Sequence, residues 1–191
     1  MAKKLKVGFD LDGVILYNPL RTLRPVASFF KFIKPVLFHE KANAFYFPNS
    51  PLEKSVWKLL HKTSFRVADG VTDIKTLAQQ GVIEPYIITA RYSFLKDDFY
   101  YWIKRLNNQP YFRYYHYNKD DIQPNAFKEK MISELKLDVF VEDNWGVIQR
   151  LNNSVPKTKI FWISNSLDWH IPYHYKFSSL EEAILYLSKH P

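Results

Sequence analysis

Two carboxylates stand two positions apart near the start of the chain, Asp10 and Asp12, in the run VGFDLDGVI over residues 7–15. A short apolar run that stops abruptly at Asp-Leu-Asp-Gly reads as a buried strand carrying acids to a sheet edge. Open α/β sheets bind their ligands at that carboxyl edge. Strand alternation would point Asp10 and Asp12 the same way and turn Leu11 into the core. Two close carboxylates repel, so the pairing is costly unless a cation or a shared proton relieves it. Oxygen ligands on a hard cation, with a substrate phosphate completing the shell, suit Mg²⁺. Gly13 lets the chain turn away and approach a ligand closely. The competing reading is a simple Asp-Gly turn. A calcium loop also contains D-x-D-G, but an EF-hand needs a further acid and a distal Glu between two helices, and this run ends a strand.

The elements that must position these acids follow an α/β rhythm of short apolar runs and longer periodic segments. Leu5–Phe9 is expected as the first strand, apolar enough to be buried on both faces. Pro85–Thr89, Tyr111–Tyr117, Val139–Val141 and Ile160–Ile163 complete a set of five. Helical patterns lie between them at Val71–Gln80, Phe94–Leu106, Phe127–Leu135 and Trp145–Leu151, with Leu180–Ser188 closing the chain. Gly81 stands where the first of these would end. The expected architecture is a Rossmann-like three-layer sandwich around a mostly parallel five-stranded sheet.

One interval breaks the rhythm. The stretch between Asp12 and Gly70 is far longer than a strand–helix connection needs. It carries its own apolar residues, among them Phe29, Phe30, Phe32, Phe38, Phe45, Phe47, Trp57 and Leu60, and the prolines 19, 25, 35, 48 and 51. A small helical cap over residues 17–67 is expected, inserted into a core domain formed by residues 1–16 and 68–191.

Composition limits what these motifs can mean. The chain has 191 residues, 47% hydrophobic and 17% aromatic, enough for one well-packed domain with a modest insertion. Its formal charge of +8, from 27 Lys and Arg against 19 Asp and Glu, favours anionic ligands without selecting one. The absence of cysteine excludes a disulfide framework, a thiolate metal site and a cysteine nucleophile. The basic start meets Asp10 and Asp12 too soon for a signal peptide, and no run reaches the ~18 apolar residues that span a bilayer. A cytoplasmic protein without a membrane partner is expected.

At the D-x-D-G run the sequence resembles the haloacid dehalogenase superfamily, whose phosphatases open with that motif after the first strand. The family's other marks follow in order. Thr89 in IITA ends the second strand. Lys128 in NAFKEKM lies near the start of a later helix, with Lys130 as the weaker alternative. Glu142 and Asp143 in VFVEDN follow the fourth strand. Each mark is weak alone, and the ordered set across residues 10–143 is specific. Glu at the fourth mark departs from the Asp or Gly of many relatives, leaving open which of Glu142 and Asp143 meets the metal.

The resemblance implies a Mg²⁺-dependent phosphatase. Asp10 would take the phosphoryl group as a carboxylate nucleophile, and Asp12 would serve as general acid and base. Thr89, with the backbone around Gly13 and Ala90, would hold phosphate oxygens, and Lys128 would balance their charge. Asp10, Asp12, Glu142 and Asp143 are the expected metal set. Thr-Ala-Arg after the second strand and the insertion after the first motif look like the deoxyribonucleotidase branch, which acts on nucleoside monophosphates. Arg91 would then assist phosphate binding or cap closure. Each position also has a plainer reading: Thr89 as a strand end or helix cap, Lys128 as a solvated helix lysine, Glu142–Asp143 as a helix cap, Arg91 as a salt-bridge residue. The cap aromatics Phe29, Phe30, Phe45, Tyr46 and Trp57 could stack a base, although core packing explains most of them.

A small phosphorylated substrate is therefore the expected partner. A polynucleotide end, a sugar phosphate, or a non-catalytic basic nucleic-acid binder are the alternatives. His170 and His174 have the spacing of a helical zinc pair, but Pro172 spoils the helix. The aromatic and basic residues of 111–117 are expected to form a buried strand rather than a stacking surface for nucleic acid.

Overall fold

A computed structural model of the chain describes residues 4–17, 45–107 and 111–190. Its centre is a parallel sheet built from β1 (Leu5–Phe9), β4 (Ile83–Tyr92), β5 (Tyr114–Asn118), β6 (Val139–Glu142), β7 (Lys159–Ile163) and β8 (Lys176–Phe177). The spatial order is β5-β4-β1-β6-β7-β8. The first three strands run outward from β1 in one direction and the next three in the other, so the order reverses between β1 and β6. A doubly wound sheet opens its ligand crevice beyond the carboxyl ends of the strands at such a reversal.

Helices cover both faces. On one lie α2 (Val71–Gln79), α3 (Lys96–Leu106) and α6 (Leu180–Lys189), packed on Val7, Phe9, Ile87, Val139, Val141, Phe161 and Ile163. On the other lie α4 (Pro124–Leu135) and α5 (Trp145–Ser154), packed on Ile88, Phe140, Ile160 and Trp162. Adjacent residues of β6 and β7 thus serve opposite layers, as period-two alternation requires. Gly8 faces the second layer, where a Cβ would come within 2.5 Å of the Leu137 side chain and 2.8 Å of Phe140. The absent side chain lets α4 and β6 close tightly on β1.

The sheet has six strands where five were expected. The added one, β8, is only Lys176–Phe177, too short to show alternation or an apolar run. The strand expected at Tyr111–Tyr117 begins three residues later and lies at the sheet's edge. Tyr114 and Tyr115 are about two-fifths exposed there, so this strand is not buried. β5 borders β4 alone, and of its three tyrosines only Tyr117 escapes exposure.

The insertion leaves and rejoins the core through a two-residue ribbon. β2 (Leu16–Tyr17) pairs antiparallel with β3 (Arg66–Val67), Leu16 opposite Val67 and Tyr17 opposite Arg66. Within it, α1 (Pro51–His61) starts on a capping box in which Ser50 accepts from the Glu53 N–H and Glu53 accepts from the Ser50 N–H. No residue of α1 is buried. Phe29, Phe30, Phe32 and Phe38 lie outside the described residues. No helix among the described residues is long and apolar enough to cross a membrane.

Candidate active site

β1 ends at Phe9, and the chain then turns through Asp10–Ile15, with the Ile15 N–H donating to the Asp10 carbonyl and the Leu16 N–H to the Leu11 carbonyl. β1 ends one residue before Asp10, so Asp10 and Asp12 lie in the turn that follows it. Once the backbone leaves the pleat, period-two alternation no longer governs their directions. Leu11 is fully buried in the core, as expected. The two acids instead have separate partners.

Asp10 belongs to the α4 side of the sheet. Lys128, on the second turn of α4, donates to Asp10 Oδ2 at 2.8 Å and to Glu142 Oε2 at 2.6 Å. Asp10 Oδ1 accepts from the Leu11 N–H at 2.8 Å. Glu142 Oε1 accepts from the backbone N–H groups of Asp143 and Asn144, at 3.2 and 2.9 Å. Asp143 lies beside them, its carboxylate against Gly13, whose φ is +82°. A Cβ on Gly13 would fall 2.1 Å from Asp143 Oδ2, so glycine serves both the turn and the close approach of this acid.

Carboxylate oxygens of Asp10, Glu142 and Asp143 come within 4.8 Å of one another, and all three residues are buried. Lys128 is shared by two of these acids, Asp10 and Glu142. Burial pushes the Asp10 carboxyl up to about 8, Lys128 opposing and Glu142 and Asp143 adding to the rise. Burial likewise raises Glu142, against the pull of Lys128. Lys128 is held above its ordinary value, because Asp10 and Glu142 outweigh the burial that would lower it. The donor set is all oxygen and closely spaced, and it fits a hard divalent cation.

Asp12 lies outside this cluster. Arg91 grips it with two hydrogen bonds, Nε to Oδ2 and Nη2 to Oδ1, each 2.7 Å. Ser64 Oγ adds a third to Oδ1 at 3.0 Å. Burial alone would raise the Asp12 carboxyl. The charge and hydrogen bonds of Arg91, with His61 and Ser64, outweigh it and hold the group well below the usual carboxylate range. Arg91 also pairs through Nη1 with Asp98 on α3. Its position comes from an irregularity in β4: Thr89 pairs with Tyr117 and Tyr92 with Asn118, so Ala90 and Arg91 bulge past the ladder. A bulge of this kind re-aims a side chain, and here the guanidinium is almost fully buried.

The structure thus brings Asp10, Lys128, Glu142, Asp143 and Gly13 together and sets Asp12 and Arg91 beside them as a second group. Thr89 is buried at the same sheet edge, its Oγ1 accepting from the Arg91 N–H at 3.4 Å. Lys130 instead lies on the exposed side of α4, 4.0 Å from Glu134. Ser64, Asp98 and His61 escaped the sequence reading. Ser64 reaches Asp12 across 52 positions, and no local pattern signals such a contact. Of the cap aromatics that are described, Phe47 packs edge-on against Tyr92 at 4.9 Å and Phe45 against the α4–α5 layer. Tyr46 lies 6.0 Å from Trp57.

No protein-family model and no curated protein matches the chain. Solved structures do resemble it along nearly its whole length. A candidate beta-phosphoglucomutase from Thermotoga maritima matches with a TM-score of 0.59 at 15% identity, over 98% of this chain and all of that one. A candidate HAD-hydrolase from Bacillus subtilis, solved with magnesium bound, matches with a TM-score of 0.62 at 14% identity over the same shares. A HAD-superfamily hydrolase from Ehrlichia chaffeensis gives 0.52 at 13%, over 98% of each chain. The likeness is one of fold: this chain has the Rossmann-like α/β fold of HAD-type hydrolases.

Proposed function

We propose that the chain is a Mg²⁺-dependent phosphatase that hydrolyses a small phosphomonoester, a nucleoside monophosphate being the leading substrate class, through a phosphoryl group carried on Asp10. One observation carries the reading. Three buried carboxylates, Asp10, Glu142 and Asp143, gather at the point where the strand order reverses, two of them bonded to Lys128. Three acidic oxygens so closely spaced suit a hard divalent cation. Magnesium bound there would neutralise the acids and draw negative charge from a phosphoryl group.

Within the site, the Asp10 carboxylate is already oriented by Lys128 at Oδ2 and by the Leu11 N–H at Oδ1. One of its oxygens would attack phosphorus as the bond to the leaving oxygen breaks, giving an aspartyl phosphate. Water would then attack the same phosphorus, freeing Asp10 and inorganic phosphate. Lys128 keeps its proton throughout and supplies fixed charge beside the transferring group. Thr89 and the backbone near Gly13 and Ala90 are assigned to phosphate oxygens. Glu142 already accepts from Lys128 and two backbone N–H groups, and it and Asp143 are the residues assigned to the cation beside Asp10.

Asp12 is assigned to proton transfer at the leaving oxygen and then at the attacking water. Held by Arg91 it is ionised, the form that accepts a proton. Donating one requires the Arg91 grip to loosen. Arg91 is therefore a positioning residue for Asp12 in this arrangement rather than a direct phosphate ligand.

The test is hydrolysis of a generic aryl phosphate with and without Mg²⁺. Wild-type protein should turn it over only with the metal, and Asp10→Asn should abolish turnover while circular dichroism stays native. Wild-type protein that is inert on a broad panel of phosphomonoesters, and whose melting temperature ignores Mg²⁺, would refute the reading.

A further inference from the structure

A cavity of about 360 Å³ lies between the segment that follows α1 and α3. Its lining includes Ser64, which donates to Asp12, and Asp98, which pairs with Arg91. It is therefore one side chain removed from Asp12, the residue assigned to the leaving oxygen. Nothing in the chemistry at Asp10, Lys128 and Asp143 uses the space.

The side chains around it combine two properties. Phe65 and Tyr101 are 62% and 55% exposed, a large aromatic area to leave in water. Lys62 and Arg105 are cationic, and neither has a carboxylate partner among the described residues. Arg105 is already ordered: its guanidinium lies 5.2 Å from the centre of the Trp102 ring and donates to the Tyr101 hydroxyl at 3.2 Å. Rings that offer a stacking face, with fixed positive charge beside them, are the means by which proteins hold unpaired nucleotides. The volume falls at the lower end of the ~300–1,000 Å³ range of small-ligand sites, room for one nucleotide unit.

We propose that this cavity is a nucleotide subsite for a substrate carrying a phosphate in addition to the one removed, with the base on Phe65 and Tyr101 and the second phosphate at Lys62 and Arg105. A nucleoside monophosphate has only the phosphate that Asp10 would attack and leaves the two cations unmatched. A nucleoside bisphosphate or the terminal unit of a polynucleotide matches both. The inference rests on the phosphatase reading and narrows its substrate.

The full chain with Mg²⁺ would be assayed for kcat/KM on an aryl phosphate, adenosine 5′-monophosphate, adenosine 3′,5′-bisphosphate and a 5′-phosphorylated dinucleotide. At least one of the last two should exceed the monophosphate by about tenfold, the scale of one added charge-assisted hydrogen bond to the second phosphate. A bisphosphate preference identifies a free nucleotide as the source of the chemistry, and a dinucleotide preference identifies a strand end. The double variant Phe65→Ala/Tyr101→Ala should lower the ratio of that rate to the aryl phosphate rate about tenfold. In Lys62→Ala/Arg105→Ala, the same ratio should become less sensitive to salt.

Equal use of the monophosphate by wild type, or an equal loss on every substrate in the variants, overturns the subsite. Should wild-type protein hydrolyse no aryl phosphate, the phosphatase reading fails separately. Anisotropy with a fluorescent dinucleotide then judges the cavity by itself: binding weakened about tenfold by Phe65→Ala/Tyr101→Ala sustains it, and no saturable binding ends it.

Discussion

At the scale of single residues, two aspartates separated by one leucine have opposite electrostatic fates. Asp10 is buried with Glu142 and Asp143 and is pushed up to about 8, while Asp12, gripped by Arg91, is held low. This makes stability depend on pH in a definite direction. Unfolded, Asp10 titrates near 3.8. Between there and about 8 the folded chain binds a proton that the unfolded chain has lost, so stability falls as pH rises through that range. Glu142, raised by the same burial, adds to the slope. A bound cation reverses this logic, since it favours the ionised acids. Without divalent metal, the melting temperature should therefore drop between pH 5 and pH 8. The rise on adding Mg²⁺ should grow over the same interval, and Asp10→Asn should flatten both. A Mg²⁺ shift that is the same at both ends of the range would count against a site built on Asp10.

At the scale of elements, the bulge near the end of β4 has the largest consequence. Two residues carried past the ladder put Arg91 between Asp12 and Asp98, joining the turn after β1 to α3. Removing one member of a buried ion pair costs about 3–5 kcal/mol, because the partner's charge is left uncompensated. Arg91→Met should lose stability of that order in urea denaturation at pH 7. The deficit should shrink towards pH 4, where Asp12 in the variant can take up a proton and shed its charge. A deficit unchanged across that range would show that the loss comes from packing and not from the pair. The same element accounts for the misplaced third strand. β5 borders only β4, so its tyrosines are half-covered by α3 and half open, a position that an aromatic run does not reveal.

At the scale of the whole molecule, the β2–β3 ribbon brings together the two ends of the segment that runs between those strands, and α1 within it contributes no buried residue. Replacing residues 18–65 by a two-residue Asn-Gly turn, the connection an antiparallel ribbon favours, should leave a folded core that still responds to Mg²⁺ in thermal denaturation. It should also remove Ser64 and Phe65 and so raise KM for nucleotides far more than for an aryl phosphate. A replaced chain that fails to fold would show that the insertion belongs to the core's own packing.

The local chemistry of this protein was legible in its residues. Apolar runs and their period placed the main strands and helices, because burial on a sheet face or a helix stripe imposes a repeat that any stretch displays by itself. The D-x-D-G run stood out at the end of the first strand, and Thr89, Lys128 and the Glu142–Asp143 pair were picked out by the resemblance to the haloacid dehalogenase superfamily. Tertiary structure alone decided how these residues divide. Lys128 crosses 118 positions to reach Asp10, and Arg91 crosses 79 to reach Asp12. Contacts of that span leave no periodic trace, since they depend on strand order and on a bulge rather than on spacing along the chain. So the sequence presented Asp10 and Asp12 as one pair awaiting a cation. The fold places Asp10 in a buried cluster with Glu142, Asp143 and Lys128 and gives Asp12 to Arg91 and Ser64.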